Sequence, residues 1–400
     1  MTVAHIGVLG AGTMGRGIAQ VAALGGFETR LYDAFPDAAT AAAAKLREAL
    51  AKGAARGRWS EAEADAAADR IGSALEIDEL EGCELVIEAA PENLRLKRKL
   101  LAAAAAACGA ETILASNTSS LRIAEIAAAL PDPERMVGMH FFNPPVLMKL
   151  VEVVAAERSS EAALATATDV ALAMGRTPIR ARDTPGFVAN RLARPFSLES
   201  LRMLGDGVAD VATIDRVVRL GGGFRMGPFE LIDLIGLDVN LTIARSFFAQ
   251  GGEPERWRPS PIQERLVAAG RLGRKSGQGY YSYRDGAGRE PDPELGIDAP
   301  TLDPGQLASI DPAAETILPR LFAQIANEAA FALDEGVASP ADIDTAMRLG
   351  LNWPLGPLGI ADLIGPARAL EVLTALEAER GAAYRPAPRL RAAAETGGSL

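Results

Sequence analysis

The chain has 400 residues, of which 48% are hydrophobic, and this length predicts two or three domains with buried cores. Its formal net charge of −11 argues against binding to nucleic acid or to an anionic membrane surface, which needs a concentrated excess of lysine and arginine. Two cysteines, Cys83 and Cys108, provide neither a disulfide framework nor a metal site, and without a leader or membrane-spanning pattern the protein is expected in the cytoplasm.

The first 185 residues alternate short apolar runs with alanine-rich helical stretches. The apolar runs include HIGVLG, ETRLYDA, CELVIEAA, TILASN, RMVGMHFF and KLVEVV. Such alternation predicts strands that pair in parallel, with helices packed on both faces of one sheet. We therefore expect a doubly wound α/β domain over residues 1–185.

The motif GAGTMG, Gly10 to Gly15, follows the first apolar run and opens a helical pattern. Gly10 allows a tight turn, Gly12 lets the backbone approach a pyrophosphate, and Gly15 lets helix and strand pack closely. Asp33 lies about 20 residues further on, where a carboxylate accepts hydrogen bonds from a ribose diol and repels a 2′-phosphate. These features predict a Rossmann-type domain that binds NAD rather than NADP. The alternative is a structural glycine turn without a cofactor.

The stretch PENLRLK, Pro91 to Lys97, comes directly after the apolar strand LVIEAA. Pro91 suits the first turn of a helix, where its missing N–H costs nothing. Glu92 and Lys97 are five residues apart and do not share a helical face, so the pattern alone favours a solvated helix start.

The stretch ASNTSSL, Ala115 to Leu121, lies where a strand ends and a helix is expected to begin. This is the carboxyl edge of the sheet, where ligands of open parallel sheets bind. A serine at such a place is either a helix N-cap or a catalytic group. Both roles stay open for Ser119, whereas Ser120 is better explained as a cap.

His140 is one of only two histidines in the chain, and it lies at the end of the apolar run RMVGM, before the turn FFNPP. Glu152 interrupts the next apolar run, KLVEVV. Because a carboxylate in a buried strand is costly unless paired, the imidazole is its obvious partner. Such a pair fixes the tautomer of the ring, as a general base requires. The alternative is a core histidine beside an edge-strand glutamate.

From Pro185 onward long helices replace the strand pattern, and the sequence repeats itself with an offset of 129 residues. The stretch from Glu199 aligns without gaps on the stretch from Glu328, and WRPSP near the end of the first copy resembles YRPAP in the second. We expect two helical domains, 186–283 and 313–400, the second truncated and structural, joined by a linker over 284–312 that is rich in Pro, Gly and Asp.

DTPGFVANRL, Asp183 to Leu192, opens the helical half, and the amide of Asn190 can donate to a substrate oxygen or cap a neighbouring turn. The repeat helps to decide between these roles. Position 319, which corresponds to Asn190 in the second copy, is a proline. This is what we expect if the first copy serves a site and the second serves the scaffold.

In order and at compatible spacing, GAGTMG, PENLRLK, SNTSSL, HFFNPP with KLVEVV, and DTPGFVANR resemble the 3-hydroxyacyl-CoA dehydrogenase family. The likeness runs through essentially the entire chain. It implies an N-terminal NAD-binding domain and a helical C-terminal region, with the active site in the cleft between them. It also implies an acyl-CoA substrate, such as 3-hydroxybutyryl-CoA or, in phenylacetate degradation, 3-hydroxyadipyl-CoA.

The resemblance also implies roles for individual residues. His140 looks like the catalytic base and Glu152 like its partner, while Ser119 and Asn190 look like groups that bind the substrate oxygens. The residues expected to contact NAD are Gly10, Gly12, Thr13, Met14, Gly15, Asp33, Glu92, Lys97 and Asn117. For the CoA moiety the sequence offers only candidates, namely Lys52, Arg56 and Arg58.

Family members with one helical domain form dimers through it, and here the second copy resembles a fused partner. We therefore expect residues 313–393 to pack on residues 186–283 about a pseudo-two-fold axis, in a monomer or in a homodimer.

Two other functions are possible. A small-hydroxyacid dehydrogenase acting without CoA would use a lysine in the helical region, and no lysine occurs between Lys149 and Lys275. A non-catalytic NAD-binding protein would not need the full set Ser119, His140, Glu152 and Asn190.

Overall fold

The computed structural model describes residues 3–283 and 313–400, and the chain divides into two compact units, Met1–Phe187 and Val188–Leu400. The predicted linker, 284–312, lies outside the described residues. Splitting the helical part into two separate domains stays a prediction. Among the helices of the described residues, none combines the length and the apolar character needed to cross a membrane.

One eight-stranded sheet forms the centre of the first unit, which confirms the predicted α/β class. Its strands are β1 (His5–Leu9), β2 (Glu28–Tyr32), β3 (Ile71–Ala74), β4 (Leu85–Glu88), β5 (Ile113–Ser116), β6 (Met136–Phe141), β7 (Leu150–Ala155) and β8 (Thr177–Arg182). They lie in the order β3-β2-β1-β4-β5-β6-β7-β8. The strand order therefore reverses between β1 and β4, and open parallel sheets bind ligands at such a point.

Helices cover the sheet, and alanine-rich faces bring them close to it. They are α1 (Thr13–Leu24), α2 (Pro36–Ala54), α3 (Glu61–Asp69), α4 (Leu94–Cys108), α5 (Ile123–Ala127) and α6 (Glu161–Ala173). All residues of β4 and β5 are buried, as expected for parallel strands covered on both faces. The core of this unit therefore lies on both sides of the central strands, and the strand ends are left to carry polar groups.

The pairing of β6 with β7 differs from the all-parallel sheet that the alternation predicts. These strands are antiparallel, while β7 pairs with β8 in parallel. The connection from Phe141 to Leu150 is too short for the crossover of a dozen or more residues that parallel neighbours need. As a result, each residue near the end of β6 lies directly opposite a residue of β7.

The second unit is helical in its described residues. Its helices are α7 (Ala189–Leu192), α8 (Arg194–Gly205), α9 (Val211–Leu220), α10 (Pro228–Ile235), α11 (Leu237–Gln250), α12 (Pro261–Ala268), α13 (Ala314–Asp334), α14 (Pro340–Gly350), α15 (Pro357–Ile364), α16 (Pro366–Arg380) and α17 (Pro388–Thr396). Helices α9, α10 and α11 begin 129 residues before α14, α15 and α16. The helix boundaries thus follow the repeat in the sequence.

Charged pairs join the two copies reciprocally within this unit. Arg191 of the first copy pairs with Glu328 of the second at 2.8 Å, and Arg320 of the second pairs with Glu199 of the first at 2.7 Å. The two arginines correspond under the offset of 129, and so do the two glutamates. Such exchange of partners is characteristic of an interface with two-fold symmetry.

An aspartate caps the same helix in both copies. Asp215 accepts hydrogen bonds from the backbone N–H groups of Phe229 and Glu230, and Asp344 accepts them from Leu358 and Gly359. Asp215 also accepts a hydrogen bond from the Tyr281 hydroxyl at 2.6 Å. Each carboxylate therefore satisfies N–H groups at a helix start that would otherwise have no partner.

Replacing these aspartates with alanine is expected to destabilise the protein unequally. Asp344→Ala removes a cap and should lower the free energy of unfolding by about 1 kcal/mol. Asp215→Ala also removes the 2.6 Å hydrogen bond of the Tyr281 hydroxyl, which keeps a longer contact of 3.4 Å with the Val211 carbonyl oxygen, so the loss should be about 2–3 kcal/mol. Urea unfolding at pH 7 measures both. Equal effects would show that the tyrosine contact contributes nothing, and Asp215→Asn, which keeps an acceptor oxygen, should fall in between.

Candidate active site

The GAGTMG segment forms the predicted turn between β1 and α1, and two of its glycines have no substitute. Gly10 has a φ of +106°, and a Cβ there would lie 2.8 Å from the carbonyl oxygen of Ala89. A Cβ on Gly15 would lie 1.8 Å from the carbonyl oxygen of Gly10. By contrast, a Cβ on Gly12 would meet nothing within 4 Å, so this side of the turn is open to a ligand.

Asp33 holds this turn in place from the end of β2. Its carboxylate accepts hydrogen bonds from the backbone N–H groups of Ala11 at 2.8 Å and Phe35 at 3.0 Å. A cavity of about 720 Å³ lies beside it, lined by residues 10–14, 32–35 and 89–91 together with Ala38, Leu96 and Leu100. The N-terminus of α1 and a carboxylate thus border one cavity at the point of strand reversal, which fits a dinucleotide.

Lys97 is buried, which corrects the solvated helix start that the pattern alone favours. Its side chain is 1% exposed, and its ammonium donates to Glu88 at 2.8 Å and to the carbonyl oxygen of Ala90 at 3.1 Å. Glu92 lies 3.3 Å away. Because a buried ammonium needs compensating charge, the acidic groups explain its burial. These contacts give Lys97 a structural role, and its expected contact with NAD stays a prediction.

Glu92 ties the loop after β4 to the loop after β5. One carboxylate oxygen accepts hydrogen bonds from the Thr118 hydroxyl at 2.5 Å and from the Ser120 hydroxyl and backbone N–H at 2.8 and 3.0 Å. Burial alone would raise the pKa of Glu92, but these hydrogen bonds and the charge of Lys97 hold the pKa below its usual value. A direct contact of Glu92 with NAD also stays a prediction.

Neither Ser119 nor Ser120 caps a helix. The helix that follows begins at Ile123, and Asp183 accepts hydrogen bonds from its first N–H groups at 3.0 and 2.9 Å. The cap role weighed for Ser119 and Ser120 is therefore wrong. The Ser119 side chain is exposed, and within the described part of the chain its hydroxyl makes no hydrogen bond.

His140 and Glu152 form the predicted pair. They lie directly opposite each other in the β6–β7 register, and the distance from His140 Nδ1 to Glu152 Oε2 is 2.6 Å. Glu152 is fully buried and His140 is 6% exposed. An ionised carboxylate can only accept hydrogen bonds, so Nδ1 is the donor in a pair of this kind. In the residues that the structure describes, Nε2 has no hydrogen-bond partner.

Two aromatic rings hold the imidazole from its sides. The ring centroids of Phe142 and Phe187 lie 4.6 and 5.8 Å from that of His140. Phe187 has a φ of +52°, a conformation that residues with a Cβ rarely adopt. Its placement beside His140 is consistent with backbone strain kept at a functional position.

Asn117 joins the end of β5 to the end of β6. Its side-chain oxygen accepts a hydrogen bond from the backbone N–H of Phe141, the residue after His140, at 2.7 Å. This contact places the amide of Asn117 at the edge of the sheet that carries His140. The structure therefore brings Asn117, His140 and Glu152 together on one edge.

The sequence analysis does not identify two residues that lie at this edge, Glu88 and Phe187. Glu88 ends β4 fully buried and accepts hydrogen bonds from Lys97 and from the Ser116 hydroxyl at 2.6 Å. A carboxylate inside an apolar strand signals it in LVIEAA, as Glu152 is signalled in KLVEVV. Phe187 gives no such signal, since its role depends on a backbone conformation.

The remaining predicted residues lie away from this edge or in the other unit. Asn190 belongs to α7 of the second unit, where its side chain is half-buried. Lys52 is exposed and pairs with Glu48 at 2.6 Å, and Arg56 and Arg58 are exposed near the end of α2. Their roles toward substrate and CoA stay predictions.

Comparisons with known proteins decide the family. Residues 5–184 match the family model described as 3-hydroxyacyl-CoA dehydrogenase, NAD binding domain, and residues 186–283 and 317–399 match the C-terminal domain of the same family. The chain belongs to the 3-hydroxyacyl-CoA dehydrogenase family. This confirms the resemblance that the motifs carry. The first unit of this 3-hydroxyacyl-CoA dehydrogenase contains its NAD-binding domain, and the protein is an oxidoreductase with NAD as its cofactor.

Relatives of this 3-hydroxyacyl-CoA dehydrogenase include both full-length and shorter proteins. The 3-hydroxyadipyl-CoA dehydrogenase of Escherichia coli K12 is 36% identical, over 98% of this chain and 97% of the relative. A probable 3-hydroxybutyryl-CoA dehydrogenase of Bacillus subtilis is 42% identical, over 71% of this chain and 99% of the relative. The crystal structure of 3-hydroxybutyryl-CoA dehydrogenase from E. coli K12 matches with a TM-score of 0.90 and 35% identity, over 99% of both chains.

Proposed function

We propose that the enzyme oxidises the hydroxyl group of L-3-hydroxyacyl-CoA to give 3-oxoacyl-CoA, reversibly and with NAD⁺. The observation that carries this proposal is the buried His140–Glu152 pair, whose Nδ1 and Oε2 lie 2.6 Å apart. It supplies a general base with a defined tautomer at the carboxyl edge of the NAD-binding domain.

The residues of the GAGTMG turn would hold the cofactor. Backbone N–H groups at the start of α1, including those of Thr13 and Met14, would face the pyrophosphate, and Gly12 leaves the space open. Asp33 would accept hydrogen bonds from the ribose diol. When bound, NAD⁺ accepts the hydride that leaves C3 of the substrate.

His140 would take the proton of the substrate hydroxyl on Nε2. The resulting imidazolium keeps its Nδ1–H bond to Glu152, whose buried negative charge stabilises it. In the reductive direction the same imidazolium returns the proton. Ser119 and Asn190 would bind the hydroxyl or thioester oxygens, and Asn117 would help to hold the end of β6.

We assign short or dicarboxylic substrates, 3-hydroxybutyryl-CoA and 3-hydroxyadipyl-CoA. The printed names of the similar E. coli and B. subtilis proteins support this choice. We further propose that the protein works in the cytoplasm, and that its two helical copies form an intramolecular pseudo-dimer that acts as a monomer or in a homodimer. The reciprocal Arg191–Glu328 and Arg320–Glu199 pairs support the pseudo-dimer.

An absorbance assay at the NADH band tests the proposed function. Acetoacetyl-CoA should be reduced with NADH, and free acetoacetate should not, because the proposed substrate carries CoA. NADPH should react much more slowly than NADH, since the Asp33 carboxylate repels a 2′-phosphate. A rate with acetoacetate but not with its CoA ester would indicate a small-hydroxyacid dehydrogenase. NADH binding without any reduction would indicate a non-catalytic protein.

A further inference from the structure

Arg194 is a buried cation at the start of α8. Its side chain is 6% exposed. Buried arginines in proteins are normally paired with carboxylates, because an isolated charge loses its hydration. Arg191 and Arg320 of the same unit follow this rule, since both contact glutamates within 2.8 Å.

Arg194 has no such partner among the described residues. Its Nε donates to the carbonyl oxygen of Asn190 at 3.2 Å, and its guanidinium lies 5.4 Å from the centre of the Phe247 ring. Its Nη1 atom is buried and makes no hydrogen bond. Burial lowers the pKa of Arg194 to about 10, so the group is still charged at pH 7. Within the described residues, Arg194 is therefore a buried positive charge with one donor that makes no hydrogen bond.

The repeat places this charge in only one of the two copies. Position 323, which corresponds to Arg194 under the offset of 129, is an alanine, whereas Arg191 is matched by Arg320. Folding of the repeat therefore does not require a cation at this position. The same copy carries Asn190, whose counterpart is Pro319. The unpaired charge and the candidate substrate amide thus occur together.

We propose that Arg194 binds the terminal carboxylate of a dicarboxylic 3-hydroxyacyl-CoA and so sets the substrate preference. This inference rests on the proposed function, in particular on the role of Asn190. The two residues are in direct contact, because the Arg194 Nε donates a hydrogen bond to the Asn190 carbonyl oxygen at 3.2 Å. In a six-carbon substrate the terminal carboxylate lies three C–C bonds beyond C3, about 4 Å away. The carboxylate would accept a charge-assisted hydrogen bond of about 2.8 Å from the guanidinium.

The guanidinium suits this ligand better than an ammonium would. A planar fork can donate two parallel hydrogen bonds to one carboxylate. One of its donors, Nη1, is already buried and unused. A monocarboxylic acyl chain would leave the charge unpaired, which makes that complex less favourable.

Steady-state kinetics with two matched substrates test the proposal. 3-Hydroxyadipyl-CoA and 3-hydroxyhexanoyl-CoA have acyl chains of the same length, and only the first carries a terminal carboxylate. Arg194→Gln should lower kcat/KM for 3-hydroxyadipyl-CoA by about tenfold to a hundredfold, mainly through KM. The value for 3-hydroxyhexanoyl-CoA should stay the same or rise. Arg194→Lys should lie between the wild type and Arg194→Gln with the dicarboxylic substrate.

Binding and stability measurements separate this role from a structural one. Adipyl-CoA and hexanoyl-CoA, which lack the reacting hydroxyl, share the CoA moiety, so a contact of Arg194 with CoA phosphates would weaken both equally. The thermal unfolding midpoint of ligand-free Arg194→Gln should not fall, because the change removes an unpaired buried charge. Arg265→Gln, which changes an exposed arginine of α12, is the matched control and should leave both substrates unaffected.

Equal losses for both substrates in Arg194→Gln would overturn the proposal, and so would a wild-type enzyme that does not distinguish adipyl-CoA from hexanoyl-CoA. If Arg194→Gln does not fold, the same comparison in Arg194→Lys decides. Reduction of acetoacetyl-CoA by the wild type is measured separately, so a failure of this inference leaves the proposed dehydrogenase activity standing.

Discussion

His140→Gln is expected to lower kcat by about 10²- to 10⁴-fold with acetoacetyl-CoA and NADH. Glutamine can keep a hydrogen bond to Glu152, but it can neither accept nor release a proton at neutral pH. The loss should therefore fall on kcat and kcat/KM together, since the interaction is made in the transition state. Initial rates from the disappearance of NADH measure both constants.

The second histidine of the chain supplies the control. His5 is exposed at the start of β1, with its Nδ1 3.5 Å from Glu84, and it has no proposed role in the reaction. His5→Gln should react at the wild-type rate. A fluorescence titration of His140→Gln should give the wild-type affinity for NADH, because the GAGTMG turn does not include the ring.

A near-normal rate for His140→Gln would remove His140 from the mechanism. Weakened NADH binding in that variant would instead show a disturbed NAD-binding domain. Glu152→Gln adds a second check, because it keeps the side-chain shape while removing the negative charge that faces the imidazolium. It should also lose activity, and it should lose less than His140→Gln if proton transfer is the larger contribution.

Glu328→Ala is expected to lower the free energy of unfolding by about 3–5 kcal/mol. Glu328 is 3% exposed and accepts hydrogen bonds from Arg191, Arg256 and Trp257 at 2.8, 2.9 and 3.0 Å. Removing Glu328 takes away the acceptor of the Trp257 indole N–H. Arg191 then keeps one carboxylate partner, Glu335. Midpoints of guanidinium unfolding, with the m-value checked for constancy, measure the effect.

The double variant Arg191→Met/Glu328→Met is the informative control. Removing both charges should cost less than removing Glu328 alone, because no unpaired buried charge remains between them. The reciprocal variant Glu199→Ala should behave like Glu328→Ala. Glu199 forms ion pairs with Arg320 and Arg202 and accepts a hydrogen bond from the Tyr384 hydroxyl. Effects within about 0.5 kcal/mol for both single variants would show that these pairs do not hold the copies together.

The central part of the fold could be predicted because its strands are strongly apolar. The runs around β1, β4, β5, β6 and β7 all lie in the sheet. The sequence pattern does not predict strands β3 and β8. Within the described residues, each of them lies at an edge of the sheet and pairs with a strand on one side. Their sequences, IGSA and TPIRAR, contain few large apolar residues and are only partly buried. A strand can be predicted from the sequence when most of its residues are buried and therefore apolar. Fewer residues of β3 and β8 are buried, so their sequences do not show this pattern.

The candidate site was predictable where a polar residue interrupts an apolar strand. Glu152 led to His140 because its burial demanded a partner, and the two strands are neighbours along the chain. The partners of Lys97 and of the α5 N-terminus could not be found in this way. Asp183 caps a helix that begins 60 residues earlier in the sequence, and only the three-dimensional arrangement of the sheet brings them together.

The exchanged ion pairs of the helical unit have a consequence for how the protein responds to dilution. In an assembly of separate chains, falling concentration would pull such partners apart. Here Arg191 and Glu328 belong to one polypeptide, so their association is intramolecular. The effective concentration of one copy near the other is set by the chain that links them and does not change on dilution. Because both copies belong to one chain, their sequences can also differ at corresponding positions. Pro319 corresponds to Asn190 of the first copy, and Ala323 corresponds to Arg194.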